Sequence, residues 1–356
     1  MAAWWRKSGA DWLAWIRRPS GLAVAQVARK TVDGLPLLRS CRFFPQPLDE
    51  KALADWLRQR GVRAAPAVGV LDRDAYLLLP ADEPTLPRAE WSLNLRWKIA
   101  DRLSYPAEQA VVETFAMPEL AKAESRKIYL AVAREARLQQ EIALFHRLGL
   151  SLQRLDIIDL ALGRLADALP QAEEGMALLY WSGEGLVVGV RKKHIFYLAR
   201  QLEGHYLPLW PSLADSSAHP AVVPPSLFWD ELALELRRTF HYYENNFAQE
   251  ALRMLWLVPF DPLCQRLEGE GLPARGGQGL AAVKVTGSGG RAGQEEGDLS
   301  ASLVGDALCA ALATRLGISV QWLSWQSLLH GLVDVEEEAL SACLPAIGAL
   351  LGQEGG

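Results

Sequence analysis

Residues 176–199 read MALLYWSGEGLVVGVRKKHIFYLA. Three largely apolar runs, Met176–Tyr180, Leu186–Val190 and His194–Ala199, are separated by Ser182-Gly183-Glu184-Gly185 and Arg191-Lys192-Lys193. Short apolar runs bounded by glycine and charged residues predict strands joined by tight turns. The same arrangement stands near the head of the chain. Trp12–Ile16 and Leu22–Ala28 flank Arg17-Arg18-Pro19-Ser20-Gly21, and Pro36–Phe44 follows Asp33-Gly34. A meander that starts at residue 12 and restarts at residue 176 predicts an α/β protein of two similar lobes around a cleft. The repetition is one of pattern, with no residue-level repeat.

Helices are expected after each meander. In the first half, Asp49–Arg60 carries Leu53, Trp56 and Leu57 on one face, with Gly61 as its stop. A helix from near Pro87 places Trp91, Leu95, Ile99 and Leu103 four apart. Glu135–Leu148 is expected to bury Leu138, Ile142 and Phe145, and Asp159–Leu169 is closed by Pro170. Strands are expected at Ala67–Leu71, Ala75–Leu79, Ala110–Phe115, Lys127–Ala133 and Leu152–Ile158. In the second half, a long helix over Ser226–Asn245 precedes a strand at Met254–Val258. Ten glycines fall between Gly269 and Gly297, which predicts a mobile insertion over 268–298. Helices Leu303–Leu316 and Glu336–Leu351 flank a last strand, Ile318–Leu323.

Composition sets limits. Half of the 356 residues are apolar, enough for one large domain or two lobes with cores. The formal net charge is -5, so the basic excess of a nucleic-acid binder is missing. Cys41, Cys264, Cys309 and Cys343 lie far apart without a CxxC pair, which points to reduced thiols rather than a disulfide or zinc framework. No signal peptide is expected, and the weakly polar run Ala339–Leu351 is too short to span a bilayer. The chain is expected to be cytoplasmic. Trp4 and Trp5 beside Arg6 and Lys7 would suit peripheral contact with a membrane, or packing on the protein body.

Motifs for chemistry are weak. Gly287-Ser288-Gly289-Gly290-Arg291-Ala292 has dinucleotide-fingerprint spacing, but no apolar helix follows it, so a flexible loop is expected. There is no GxxxxGK followed by Ser or Thr, no HExxH and no GxSxG. The six histidines show no ligand spacing, and no metal site is expected. Asp72 and Asp74 are read as turn residues, and Glu336-Glu337-Glu338 as the acidic start of a helix.

Five stretches, in order, resemble the PilM family of type IV pilus assembly proteins, and within it the MSHA-biogenesis branch (MshI). They are Leu77-Leu78-Leu79-Pro80 before the tryptophan-bearing helix; Trp97, which stands where the family has a Trp-Glu pair, although Lys98 replaces the acid; Val132-Ala133-Arg134-Glu135 with Leu148-Gly149-Leu150 and Asp156–Leu162; Glu235–Tyr243; and Ala346–Leu350. The resemblance implies an actin-like (ribonuclease H-like) two-lobed fold with a small subdomain inserted in lobe one. The corresponding boundaries are an N-terminal segment 1–11, lobe one over 12–170 and about 336–356, the subdomain near 72–128, and lobe two over 171–335. It also implies a partner, the cytoplasmic tail of a bitopic PilN-like inner-membrane protein, among other platform proteins. Trp91, Leu95 and Trp97 are the candidate residues for that tail.

Relatives of this kind also bind ATP with magnesium, and here the chain departs from the pattern. The first phosphate turn is Arg17-Arg18-Pro19-Ser20-Gly21, without its carboxylate. The second is Tyr180-Trp181-Ser182-Gly183, and Pro259-Phe260 stand where a glycine pair would admit adenine. Without acids to hold magnesium, a cofactor-free scaffold rather than an enzyme is expected. Arg17, Arg18, Ser20, Gly21, Ser182 and Gly183 are what remains of a nucleotide site, and of these Arg17, Arg18 and Ser182 are expected to be solvated turn residues. An actin-like ATPase and the L-type cytoplasmic component of a type II secretion system are the alternatives.

Overall fold

The computed structural model describes residues 11–351 apart from 33–34, 63, 123–124, 183–184, 203–225, 259–307, 325–327 and 332–336. The expectations for Trp4 and Trp5, Pro259-Phe260, the glycine-rich insertion with its 287–292 motif, Gly183 and Cys264 lie outside the described residues.

Both meanders form. In the first, β1 (Trp12–Arg18), β2 (Gly21–Val32) and β3 (Leu35–Pro45) are followed by α1 (Glu50–Gln59) and β4 (Pro66–Leu71). With β8 (Ser151–Ile157) they make a five-stranded sheet ordered β3-β2-β1-β4-β8. In the second, β9 (Met176–Ser182), β10 (Gly185–Lys192), β11 (Ile195–Gln201), β12 (Met254–Leu257) and β13 (Ser319–Trp322) are ordered β11-β10-β9-β12-β13. Counted by appearance, both sheets run third, second, first, fourth, fifth. Each first strand is antiparallel to its hairpin partner and parallel to the fourth strand. The duplication is therefore topological.

Between β4 and β8 the chain builds a small unit of β5 (Tyr76–Asp82), α2 (Trp91–Lys98), β6 (Ala110–Ala116) and β7 (Lys127–Arg134). Its sheet is ordered β5-β7-β6, and α3 (Glu135–Arg147) leads out of it. The helix expected to carry Trp91 through Leu103 is shorter, with a 3-10 turn at Ala100–Arg102. Residues four apart advance about 40° beyond a full turn at each step, so a straight helix would rotate the last of them off the face. The break lets Ile99 and Leu103 pack on the same core as Trp91 and Leu95.

Alternation along β1 and β9 divides the core. Leu13 and Trp15 face α1 and α3, where Trp15 stacks on Phe145. Trp12, Ala14 and Ile16 face the opposite way, toward α4 (Ile158–Ala166) and α7 (Glu337–Leu350). Met176, Leu178 and Tyr180 of β9 join that same central core from the second lobe. Ala177 and Leu179 face α5 (Ser226–Phe247) and a helix over residues 308–316, α6. α7 is buried along most of its length, as befits a helix apolar all round. A Cβ on its Gly348 would fall 2.2 Å from the Ala161 carbonyl oxygen, so this glycine sets how closely α7 approaches α4.

Among the described residues, no helix is long and apolar enough to cross a membrane. Among the described residues, Cys41, Cys309 and Cys343 are thiols outside any disulfide.

Candidate functional site

The turn between β1 and β2 is held in ion pairs and close packing. Alternation along β1 sends Arg17 toward α3 and Arg18 toward the lobe junction. Arg17 Nε donates to Glu141 Oε1 at 2.6 Å, and Arg137 lies 3.8 Å from the same oxygen. This pairing explains why α3 buries Glu141 with Leu144 and Phe145, while Leu138 and Ile142 are only half-buried. Arg18 Nε lies 3.4 Å from Asp72 Oδ2, with both side chains almost wholly enclosed. Asp72 also accepts from the Arg73 backbone N–H at 2.8 Å, capping the 3-10 turn Arg73–Ala75. Ser20 is buried. A Cβ at Gly21 would fall 2.3 Å from the Phe44 carbonyl oxygen and 2.4 Å from the Phe43 ring, so the close packing of β2 on β3 requires glycine here.

The expectation of solvated turn residues is therefore corrected for Arg18, which is buried against Asp72, and for Arg17, which is half-buried in its pair with Glu141. Ser182 is buried too, its hydroxyl donating to the Gly185 carbonyl across the second hairpin. Gly183 lies outside the described residues.

The strongest polar constellation sits where the lobes meet. Asp159, in the first turn of α4, accepts hydrogen bonds from the hydroxyls of Tyr76 and Tyr180. Arg73 Nη2 lies 3.1 Å from Asp159 Oδ1. Tyr76 opens β5, whereas Tyr180 comes from β9 of the other lobe, so the carboxylate ties three segments together. Burial, reinforced by the Asp159 charge, pushes both tyrosine hydroxyls well above the usual tyrosine range. Burial opposes the charge on Arg73, but Asp159 and then the two tyrosines more than offset this, and its pKa moves up. With two hydroxyls and a guanidinium turned onto one buried carboxylate, the cluster suits a structural tie between the lobes. Among the described residues, no three His, Cys, Asp or Glu side chains are placed to share a metal ion.

Other contacts join the lobes. Arg191 of β10 pairs with Asp167, just beyond α4, at 2.7 Å. Tyr129 of β7 donates to the Tyr197 carbonyl of β11, and Phe115, Tyr129 and Phe196 pack as an aromatic trio. The Ala121 backbone N–H donates to the Asn246 carbonyl at 2.7 Å.

The three residues expected to hold a partner divide. Trp91 and Leu95 are buried in the core of the inserted unit, and Trp91 Nε1 donates to the Leu86 carbonyl at 2.8 Å. They are corrected as a contact surface, since they pack against the strands beneath α2. Trp97 is 52% exposed, and Leu93, one helical turn before it and not singled out from the sequence, is 58% exposed. A groove of about 550 Å³ also lies between α3 and the start of α1, beside Arg17, Glu50, Ala143 and Arg147. The Asp159 cluster was likewise missed. Its one local signal is a lone acid inside Ile157-Ile158-Asp159-Leu160-Ala161-Leu162, since an acid in an apolar run is rarely buried without a partner.

No protein-family model matches the sequence, and no curated protein matches it. Among solved structures, a chain of the PilM–PilN type IV pilus biogenesis complex superposes with a TM-score of 0.58 at 16% identity, over 95% of this chain and 96% of that one. The fold is actin-like. The doubled sheet order and this full-length superposition agree on it. Two further neighbours align more loosely. A Bacteroides thetaiotaomicron protein with an actin-like ATPase fold gives a TM-score of 0.43 at 9% identity, over 97% of this chain and 99% of that one. The cytoplasmic domain of EpsL, an inner-membrane component of the Vibrio cholerae type II secretion system, gives 0.40 at 12% identity, over 70% and 82%.

Proposed function

We propose that the chain is a binding scaffold of a type IV pilus assembly platform, of the MSHA-biogenesis (MshI) branch of the PilM family. In this reading it works at the cytoplasmic face of the bacterial inner membrane. It holds the cytoplasmic tail of a PilN-like bitopic protein alongside other platform proteins. Its cleft takes no nucleotide, and it is not an ATPase.

The observation that carries the reading is the outer face of α2. This eight-residue helix buries Trp91 and Leu95 yet presents Leu93 and Trp97, four residues apart, to solvent. A surface helix ordinarily keeps its apolar residues to one stripe. A large apolar pair on the other side supports reading it as a contact surface, where tryptophan is among the enriched anchors. The likeness of fold to a chain of the PilM–PilN complex supports the choice of a PilN-like tail as occupant. The nucleotide-free reading is supported by the Arg17–Glu141 and Arg18–Asp72 pairs at the first phosphate turn.

Affinity purification of the tagged chain from cells that carry its pilus genes tests this. A PilN-like protein is expected to be retained by the wild type and lost with Leu93→Asp. Its loss with Ala143→Trp instead would move the site to the groove beside Arg17. Retention of no such protein would overturn the reading.

A further inference from the structure

The junction between the inserted unit and lobe two encloses a second feature, independent of α2. A pocket of about 390 Å³ opens there, within the size range of small-molecule sites. One wall is Leu78 of β5, Met117 and Tyr129 of β7; the other is Leu198 of β11 with Tyr242 of α5. This lining is mostly apolar. The rim is basic, formed by Arg200 and Arg238.

Both arginines share one acid. Arg200 Nη2 donates to Glu235 Oε2 at 2.7 Å, and Arg238 Nη1 donates to Glu235 Oε1. Arg200 Nη1 also lies 3.4 Å from Thr239 Oγ1, which steadies its plane. A guanidinium carries five N–H donors, and Glu235 engages one nitrogen of each. Two cations against one carboxylate leave a surplus of one positive charge at the mouth of an apolar pocket. Oriented guanidinium groups of this kind suit an anionic head, and the lining suits a hydrocarbon or aromatic body.

We propose that this pocket binds a small amphiphilic molecule with a single negative charge, its head at Arg200 and Arg238 and its body against Leu78, Met117 and Leu198. The occupant touches both lobes, so binding stabilises their junction.

Anilinonaphthalene sulfonate, an aromatic monoanion, is the probe, and phenylnaphthylamine supplies the same rings without the charge. The folded wild type is expected to bind one sulfonated dye per chain, saturably and about tenfold more tightly than the neutral dye. Arg200→Gln with Arg238→Gln is expected to erase that preference. Both arginine side chains are well exposed, at 41% and 60%, so this variant keeps its fold, as circular dichroism will show. Ala199→Phe is expected to fill the pocket and weaken both dyes. Equal affinity for the two dyes, an arginine variant that keeps the preference, or no saturable binding would each overturn the proposal. None of these outcomes bears on tail binding at α2.

Discussion

Replacing Asp159 with alanine tests how the lobes are joined. The substitution takes the acceptor from two tyrosine hydroxyls that are themselves buried, and the counter-ion from Arg73, whose side chain is 12% exposed. Stranding one member of a buried ion pair costs about 3–5 kcal/mol. An unsatisfied buried hydroxyl adds about 1–3 kcal/mol where water cannot reach it. These terms overlap, because Arg73 and the tyrosines relax together, so the expected loss is about 4–6 kcal/mol rather than their sum. That is a large share of the roughly 5–15 kcal/mol that holds a domain folded. Asp159→Asn keeps an acceptor oxygen and loses only the charge, so it should fall between Asp159→Ala and Tyr180→Phe. Urea unfolding of the three variants, with the Asp159→Ala/Tyr180→Phe double mutant, supplies the cycle. A coupling of about 0.5–3 kcal/mol between the two sites is expected. A loss below about 1 kcal/mol for Asp159→Ala, or additive effects in the double mutant, would refute the reasoning.

The same cluster predicts the alkaline limb of stability. Tyr76 and Tyr180 keep their protons in the folded chain above the pH at which free tyrosines lose theirs. Stability is therefore unaffected by these groups below about pH 10, and falls above it by about 1.4 kcal/mol per pH unit for each tyrosine; alkaline denaturation of Tyr180→Phe should show the slope reduced by one proton. Gly348→Ala puts a methyl against the Ala161 carbonyl and is expected to cost about 1–3 kcal/mol, read as a lowered urea midpoint. Leu95→Ala empties the core of the inserted unit and should cost about 2–5 kcal/mol. Trp97→Ala, on the exposed side of the same helix, should stay within about 0.5 kcal/mol of wild type in the same unfolding assay.

What could be read from the sequence was what local pattern encodes. The meanders at residues 12 and 176 stand out because strand alternation and turn residues repeat within short windows. Pattern also located the inserted unit's strands and the apolar stripe of α2, but not the break after Lys98, which follows from fitting a four-residue spacing onto a helix of 3.6 residues per turn. The site was harder to read. Asp159 meets Tyr76 across 83 positions and Tyr180 across 21. Arg17 meets Glu141 across 124. No local signal pairs residues so far apart, and a turn written Arg-Arg-Pro-Ser-Gly looks solvated until the acids facing it are placed. Trp91 and Trp97 look alike in sequence; only their positions around α2, six residues apart, separate a core residue from an exposed one.

The proposed role is to hold a membrane-protein tail without nucleotide, through the outer face of α2. Calorimetric titration of a PilN-like tail peptide into the purified chain, with and without Mg-ATP, tests it most directly. Saturable binding of equal affinity in both conditions is expected, lost in Trp97→Ala at unchanged fold, with no heat from Mg-ATP alone. Binding that requires Mg-ATP, or that survives Trp97→Ala and Leu93→Asp together, would contradict it.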